Sequence, residues 1–331
     1  MDVMKEITRR AKIIDGQVMS YLQGGDDKKL MMAVRHYPVA GGKRLRPMMA
    51  KVIAQAVGDA EDKAVPFACA LEIIHNFTLV HDDVMDNDSM RRGRPAVHVL
   101  FDMPTAIIAG DALFARAFEI ITDSEVPPEH INRLVKITAH TVWLIAEGQQ
   151  DDMDFENMPV ESVSIDDYLA MIYKKTAVLF ECAAEGGALI GGGTEEQITR
   201  MKDYARLMGM GFQVWDDILA LTGDEKTLGK PVGNDIRNGK RTLIVLHALS
   251  AMDKADPKRA KLLKTLGNEK ASPQEIGEAI QILHDCGSID HARKTAADYA
   301  ARAKDQLECL PPSVERAFLS GVIDFAVGRK V

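Results

Sequence analysis

Apolar residues recur at three- and four-residue spacing over 64–81, 105–122, 130–147, 166–190, 196–221, 241–250 and 273–307, the period of helices that lay one face on a core. Period-two alternation, the mark of a half-buried strand, is hard to find. The pattern predicts an all-α chain. Helix punctuation agrees: Ser164 stands ahead of Asp166 and Asp167, and Thr194 ahead of Glu195 and Glu196, each a capping residue followed by first-turn acids. The opening "MDVMKEITRRAKIID" reads as a charged amphipathic helix with no apolar signal core. The stretch 222–241, "TGDEKTLGKPVGNDIRNGKR", is rich in Gly and Lys and reads as a long functional loop between helices, not as a domain boundary.

Composition narrows the class without naming a chemistry. The 331 residues are 46% hydrophobic and 27% charged, an ordinary soluble globular balance, and length alone allows one large domain or two. No uncharged apolar run reaches the roughly 18 residues of a membrane span. Cys69, Cys182, Cys286 and Cys309 lie far apart and form no CxxC pair, which predicts reduced thiols in a cytoplasm. A net charge of −8 argues against nucleic acid as a partner, because phosphate contacts need a basic face. An anionic ligand would need a local concentration of positive charge.

The segment "HDDVMDNDSMRRGRP", residues 81–95, puts four carboxylates within seven residues at the end of an apolar run. On one helix, Asp82 and Asp86 are a turn apart on one face, with Asp83 beside them. Like charges at that spacing repel, so a structural helix gains nothing from them, whereas a hard divalent cation reverses the sign. A solvated acidic helix end is the plainer alternative. A second pair weighs against it: "GFQVWDDILALTGD" places Asp216 and Asp217 late in another amphipathic helix, with Gln213 one turn earlier. Two helices ending apolar runs in Asp-Asp would wall a cavity that binds a metal-bridged diphosphate. Basic residues supply the rest of an anion site. "GGKRLRP" sets Lys43, Arg44 and Arg46 on a Gly-rich turn before a helix, Arg91, Arg92 and Arg94 follow the first acidic cluster, Lys174 and Lys175 sit in "YKKTA", and Lys230 and Lys240 bracket the glycine loop.

In this order, "GGKRLRP", "HNFTLVHDDVMDNDSMRRGRP", "AGDALFARAFE", "EGQQDDMDF", "YKKTA" and "GFQVWDDILALTGDEKTLGKPVGNDIRNGKRT" resemble the motif set of the short-chain trans-isoprenyl diphosphate synthases, over about residues 41–242. The resemblance implies the isoprenoid synthase fold: one domain over 1–331, a single large helical bundle around a deep central cavity, assembled as a homodimer. It implies a Mg²⁺-dependent prenyltransferase that condenses isopentenyl diphosphate with dimethylallyl, geranyl and farnesyl diphosphates. Three Mg²⁺ ions are expected, for which Mn²⁺ can substitute.

By motif position, Asp82, Asp86 and Asp216 would be metal ligands, with Asp83 and Asp217 supporting. Arg91, Lys175, Thr176, Gln213, Lys230 and Lys240 would hold the allylic diphosphate, and Lys43, Arg46, His75 and Arg92 isopentenyl diphosphate. A lone histidine in an apolar helix is usually a packed core residue, but His75 lies two turns before Asp82, on its face. Asp151, Asp152 and Asp154 imitate a third metal cluster; the motif instead gives Asp152 a shaping role. The family's second aspartate motif carries a further aspartate where this chain has Ala220. That departure keeps open a catalytically weak regulatory or structural subunit, and a terpene cyclase of the same fold is a further alternative. A cyclase, however, has no use for "GGKRLRP", His75 and Arg92.

Chain length should be set on the helix below Asp82. Thr78, Phe77 and Ile74 precede it by four, five and eight residues, within about two turns at roughly 1.5 Å per residue. Relatives that make farnesyl chains carry an aromatic at the fourth position, where this chain has a small Thr78. Phe77 is then the first stop, or else ordinary core packing, with Phe114 and Phe118 closing the floor. The expected product is geranylgeranyl diphosphate, with farnesyl diphosphate as co-product.

Overall fold

The computed structural model describes residues 2–25, 28–223 and 232–328. Helices dominate, as the periodicity requires: α1 (Val3–Tyr21), α2 (Lys29–Arg35), α3 (Leu45–Gly58), α4 (Val65–Met85), α5 (Val97–Leu100), α6 (Met103–Thr122), α7 (Pro128–Asn157), α8 (Ile165–Ile172), α9 (Val178–Ile190), α10 (Glu195–Thr222), α11 (Asn234–Arg237), α12 (Leu243–Ala251), α13 (Pro257–Thr265), α14 (Pro273–Asp285), α15 (Ser288–Gln306) and α16 (Val314–Gly328). Among the described residues the β structure is one two-stranded antiparallel ribbon, β1 (Met90–Arg91) and β2 (Arg94–Pro95). Arg92 and Gly93, both at positive φ (53° and 73°), close its two-residue turn, and their twist suits a tight hairpin.

Two compact units divide the chain. The first comprises Met1–Thr141, Leu179–Asp203 and Gln306–Val322, the second Val142–Val178, Tyr204–Asp305 and Ile323–Val331.

In the first unit α1 buries Ile7, Ala11, Ile14 and Val18, a single stripe at four- and three-residue spacing. α4 packs most closely on α6, where Ala106, Ala109, Gly110, Leu113 and Ala117 are all fully buried. Gly110 is required there, because a Cβ would strike the His81 ring. The backbones of α3 and α9 also approach closely: a Cβ on Gly187 would meet the Ala50 carbonyl, and one on Gly58 the Gly191 carbonyl. Asp62–Met85 is, among the described residues, the one stretch long and apolar enough to cross a membrane by composition, yet 61% of its apolar window is buried in the fold, as in a core helix.

In the second unit α8, α10, α12, α14 and α15 share a core that includes Tyr168, Val214, Ile218, Ile244, Leu283 and Ala296. Ser164 caps α8 in a reciprocal box with Asp167. Two long periodic stretches are interrupted. The expected 273–307 helix is two helices, broken at Cys286–Gly287 with Gly287 at φ 74°, a left-handed residue that ends α14. The expected 166–190 helix is α8 and α9 joined by one π-helical turn, Tyr173–Ala177.

Candidate active site

In the first unit, the acids at the end of α4 differ in burial. Asp83 is fully buried, Asp82 half-buried and Asp86 exposed. Asp86 is the cap of α4, its N–H donating to the Asp82 carbonyl at 2.7 Å. Asp83 therefore does not share an outlook with the other two: it accepts from the Tyr37 hydroxyl and from Nε (2.8 Å) and Nη2 of Arg91. Asp82 and Asp86 offer only hard oxygen donors, one turn apart, which fits a divalent cation that completes its shell with substrate phosphates and water. Among the described residues no three His, Cys, Asp or Glu groups gather into an all-protein metal cage.

The basic turn before α3 is divided in the same manner. Gly41 (φ 76°), Gly42 (φ 155°) and Arg44 (φ 50°) turn the chain into the helix. Arg44 faces inward, donating to Asp15 at 2.7 Å, to the Pro38 carbonyl at 2.7 Å and to buried Glu72. It anchors the turn to α1 and α4. Lys43 remains exposed and Arg46 half-buried. Arg92 reaches the turn from the ribbon, donating to the Gly41 carbonyl, and Gly42 leaves space for its guanidinium. Burial pushes the His75 pKa well below the ordinary histidine range, and Arg46, Arg92, Arg44 and Arg91 push it further. His75 is thus a neutral ring among cations. Burial also lowers Arg46 to about 10, against the pull of Glu72 and with the help of Arg92.

Below Asp82, Phe77, Phe114 and Phe118 form an aromatic row, with ring centroids 5.4 and 5.1 Å apart, and Phe77 also meets His81 edge-on at 4.9 Å. Thr78 returns its hydroxyl to the His75 carbonyl at 2.9 Å. Ile74 is fully buried in the core.

In the second unit the π turn carries Lys175 and Thr176. Gly148 admits it, since a Cβ there would lie 2.5 Å from the Lys175 nitrogen. Lys175 and Lys240 both pair with Oδ2 of Asp152, at 2.6 and 3.1 Å, and Lys240 also lies 3.5 Å from Glu156. Asp151 pairs with Lys174 at 3.0 Å and Asp154 accepts from Gln150 at 2.8 Å. A separate chain of hydrogen bonds runs from Thr176 to Gln213 (2.9 Å), from Gln213 to Asp217 (3.0 Å) and from Tyr168 to Asp217 (2.6 Å). Burial, with Asp235 adding, raises the Asp217 pKa to about 7, against the donors Tyr168 and Gln213 and the charge of Lys240. Asp152, Tyr168, Lys175, Thr176, Gln213, Asp217 and Lys240 line a cavity of about 90 Å³. Asp216 and Ala220 are half-buried on α10. Lys230 lies outside the described residues.

Sequence reasoning missed Tyr37, Glu72, Tyr168 and Phe180, whose ring lies under Arg46 at 4.3 Å. Only Glu72 left a local signal, a lone carboxylate inside the apolar run "FACALEIIHNF".

Residues 27–283 match the polyprenyl synthetase family model. The chain belongs to the polyprenyl synthetase family. It is 42% identical over 323 residues to the geranylgeranyl pyrophosphate synthase of Geoglobus acetivorans, covering 98% of each chain. The crystal structure of geranylgeranyl pyrophosphate synthetase from Pyrococcus horikoshii Ot3 superposes with a TM-score of 0.93 at 41% identity, covering 99% of both chains. A polyprenyl synthase from Caulobacter crescentus CB15, solved with calcium and isoprenyl diphosphate, superposes with a TM-score of 0.88 at 31% identity, covering 99% of this chain and 98% of that one. This polyprenyl synthetase has the isoprenoid synthase fold and is a trans-prenyltransferase that condenses prenyl chains. The family works with a divalent metal and prenyl diphosphate substrates.

Proposed function

We propose that this prenyltransferase adds isopentenyl diphosphate to dimethylallyl, geranyl and farnesyl diphosphates and releases geranylgeranyl diphosphate, with farnesyl diphosphate as co-product. The carrying observation is small Thr78 one turn before Asp82, with the bulk placed one residue deeper in the row of Phe77, Phe114 and Phe118. A tail that passes Thr78 gains length before it meets an aromatic wall. The likeness to the Geoglobus acetivorans enzyme supports the same length.

Asp82, Asp86 and Asp216 are the proposed metal ligands. Mg²⁺, three ions, with Mn²⁺ as substitute, would supply charge stabilisation to the departing pyrophosphate. Lys43, Arg46, Arg92 and His75 hold isopentenyl diphosphate, the guanidinium forks binding its oxygens in pairs. Lys175, Thr176, Gln213, Lys230, Lys240 and Arg91 hold the allylic diphosphate. Asp83 fixes Arg91, and Asp217 fixes the amide of Gln213 so that its oxygen faces Thr176. No protein nucleophile is needed, because the double bond of isopentenyl diphosphate attacks the allylic carbon and the proton then lost goes to the pyrophosphate.

One domain, cytoplasmic placement without a membrane span, and a homodimer complete the proposal. The exposed Ile107 and Ile108 of α6, at 43% and 53%, support a partner on that face. Product analysis with labelled isopentenyl diphosphate tests the whole. A main product of twenty carbons is expected, and release of a shorter or longer main product would overturn the length assignment.

A further inference from the structure

Arg46 is a cation left without a counter-ion by its neighbours. Glu72, the carboxylate that pulls on it, is already engaged by Arg44 and Asn76. No hydrogen bond or ion pair joins Arg46 to another described residue, and its Nε is sealed from solvent without an acceptor. Such burial is costly unless something offsets it. What Arg46 does have is the face of Phe180, 4.3 Å from Cζ to the ring centroid. The negative face of an aromatic ring attracts a guanidinium and leaves the in-plane N–H edges uncommitted. Phe180 itself is 1% exposed on α9. That helix is fixed at backbone distance: Gly187 abuts Ala50 of α3, the helix that also bears Arg46, and Gly186 abuts Phe67.

We propose that Phe180 is a positioning residue for isopentenyl diphosphate: its ring holds the Arg46 guanidinium in one plane, charged and with its fork open to the diphosphate oxygens. The inference rests on the assignment of Arg46 to that substrate. A ring is suited to the task because an acidic partner would compete with the diphosphate for the same N–H groups. Phe180 touches no reacting atom; it acts through Arg46.

The test combines four variants of the chain, each assayed for KM of isopentenyl diphosphate, KM of farnesyl diphosphate and kcat. Arg46→Ala establishes whether Arg46 serves isopentenyl diphosphate at all. Phe180→Leu removes the ring, and a trifluorinated phenylalanine at position 180 keeps its shape while weakening its quadrupole. Phe180→Leu should raise the KM for isopentenyl diphosphate roughly 2- to 30-fold, the span of exposed to desolvated cation–π contacts. The fluorinated ring should raise it in the same direction, with kcat and the farnesyl KM unchanged. In an Arg46→Ala background Phe180→Leu should add nothing. If Arg46→Ala leaves that KM unchanged, the substrate assignment falls and the proposal with it. If Arg46→Ala raises it but the fluorinated ring does not, the assignment stands and Phe180 is ordinary packing.

Discussion

Arg91 gives two of its guanidinium nitrogens to Asp83, a carboxylate with no solvent exposure, which also receives the Tyr37 hydroxyl. Removing one member of a buried pair leaves the other charge uncompensated. Asp83→Ala should therefore cost about 3–5 kcal/mol of stability, seen as a large fall in the denaturation midpoint. Asp82→Ala, one residue earlier and half-buried, should lower that midpoint less. Equal losses in the two variants would refute the division of labour along α4.

Asp82→Ala or Asp86→Ala should lower turnover by orders of magnitude, because a single group that stabilises developing charge is worth about 10²–10³ in rate. Excess chelator should abolish activity in the unaltered enzyme, and Mg²⁺ or Mn²⁺ should restore it. Turnover that persists in chelator would remove the metal from the reaction.

Product length offers a separate handle. Phe77→Ser should break the aromatic row at its contact with Phe114 and lengthen the product, whereas Thr78→Phe should shorten it toward fifteen carbons. Chromatography of the dephosphorylated products distinguishes the two shifts. An unchanged product distribution from two active variants would place the stop elsewhere.

Stability should also depend on pH through His247, which stacks on His291 at 4.0 Å and shares a 2.8 Å hydrogen bond with Ser288. Burial first, and His291 second, lower its pKa below 6.5. The unfolded chain then binds the proton more readily than the folded one, so stability is complete above pH 6.5 and declines as pH falls below it. Urea midpoints between pH 7.5 and 5 should show the decline, and His247→Phe should flatten it.

Helix positions were legible where local chemistry sets them. Ser164 and Asp167 announce the start of α8, and the apolar run before Asp82 announces the long buried helix α4. What was not legible depended on distant partners. Nothing beside Asp83 shows that it turns inward, because Tyr37 lies 46 residues away. "YKKTA" reads as ordinary helix; its π turn nests against Gly148, from another helix. The break between α14 and α15 was within reach, since Gly287 followed by Ser288 is a stop followed by a start. Regular apolar spacing on both sides concealed it.

The shared carboxylate oxygen of Asp152 bears on how an anion can be accepted. Lysine side chains lose about 1.5–2 kcal/mol of rotamer freedom when they are fixed. With Lys175 and Lys240 already drawn to one point, that ordering belongs to folding and is not repeated at each encounter. A diphosphate arriving there would meet standing ammonium groups and take over contacts from a resident anion. Uptake there would be an exchange of one oxygen shell for another, with the diphosphate displacing Asp152 from both lysines instead of ordering them afresh.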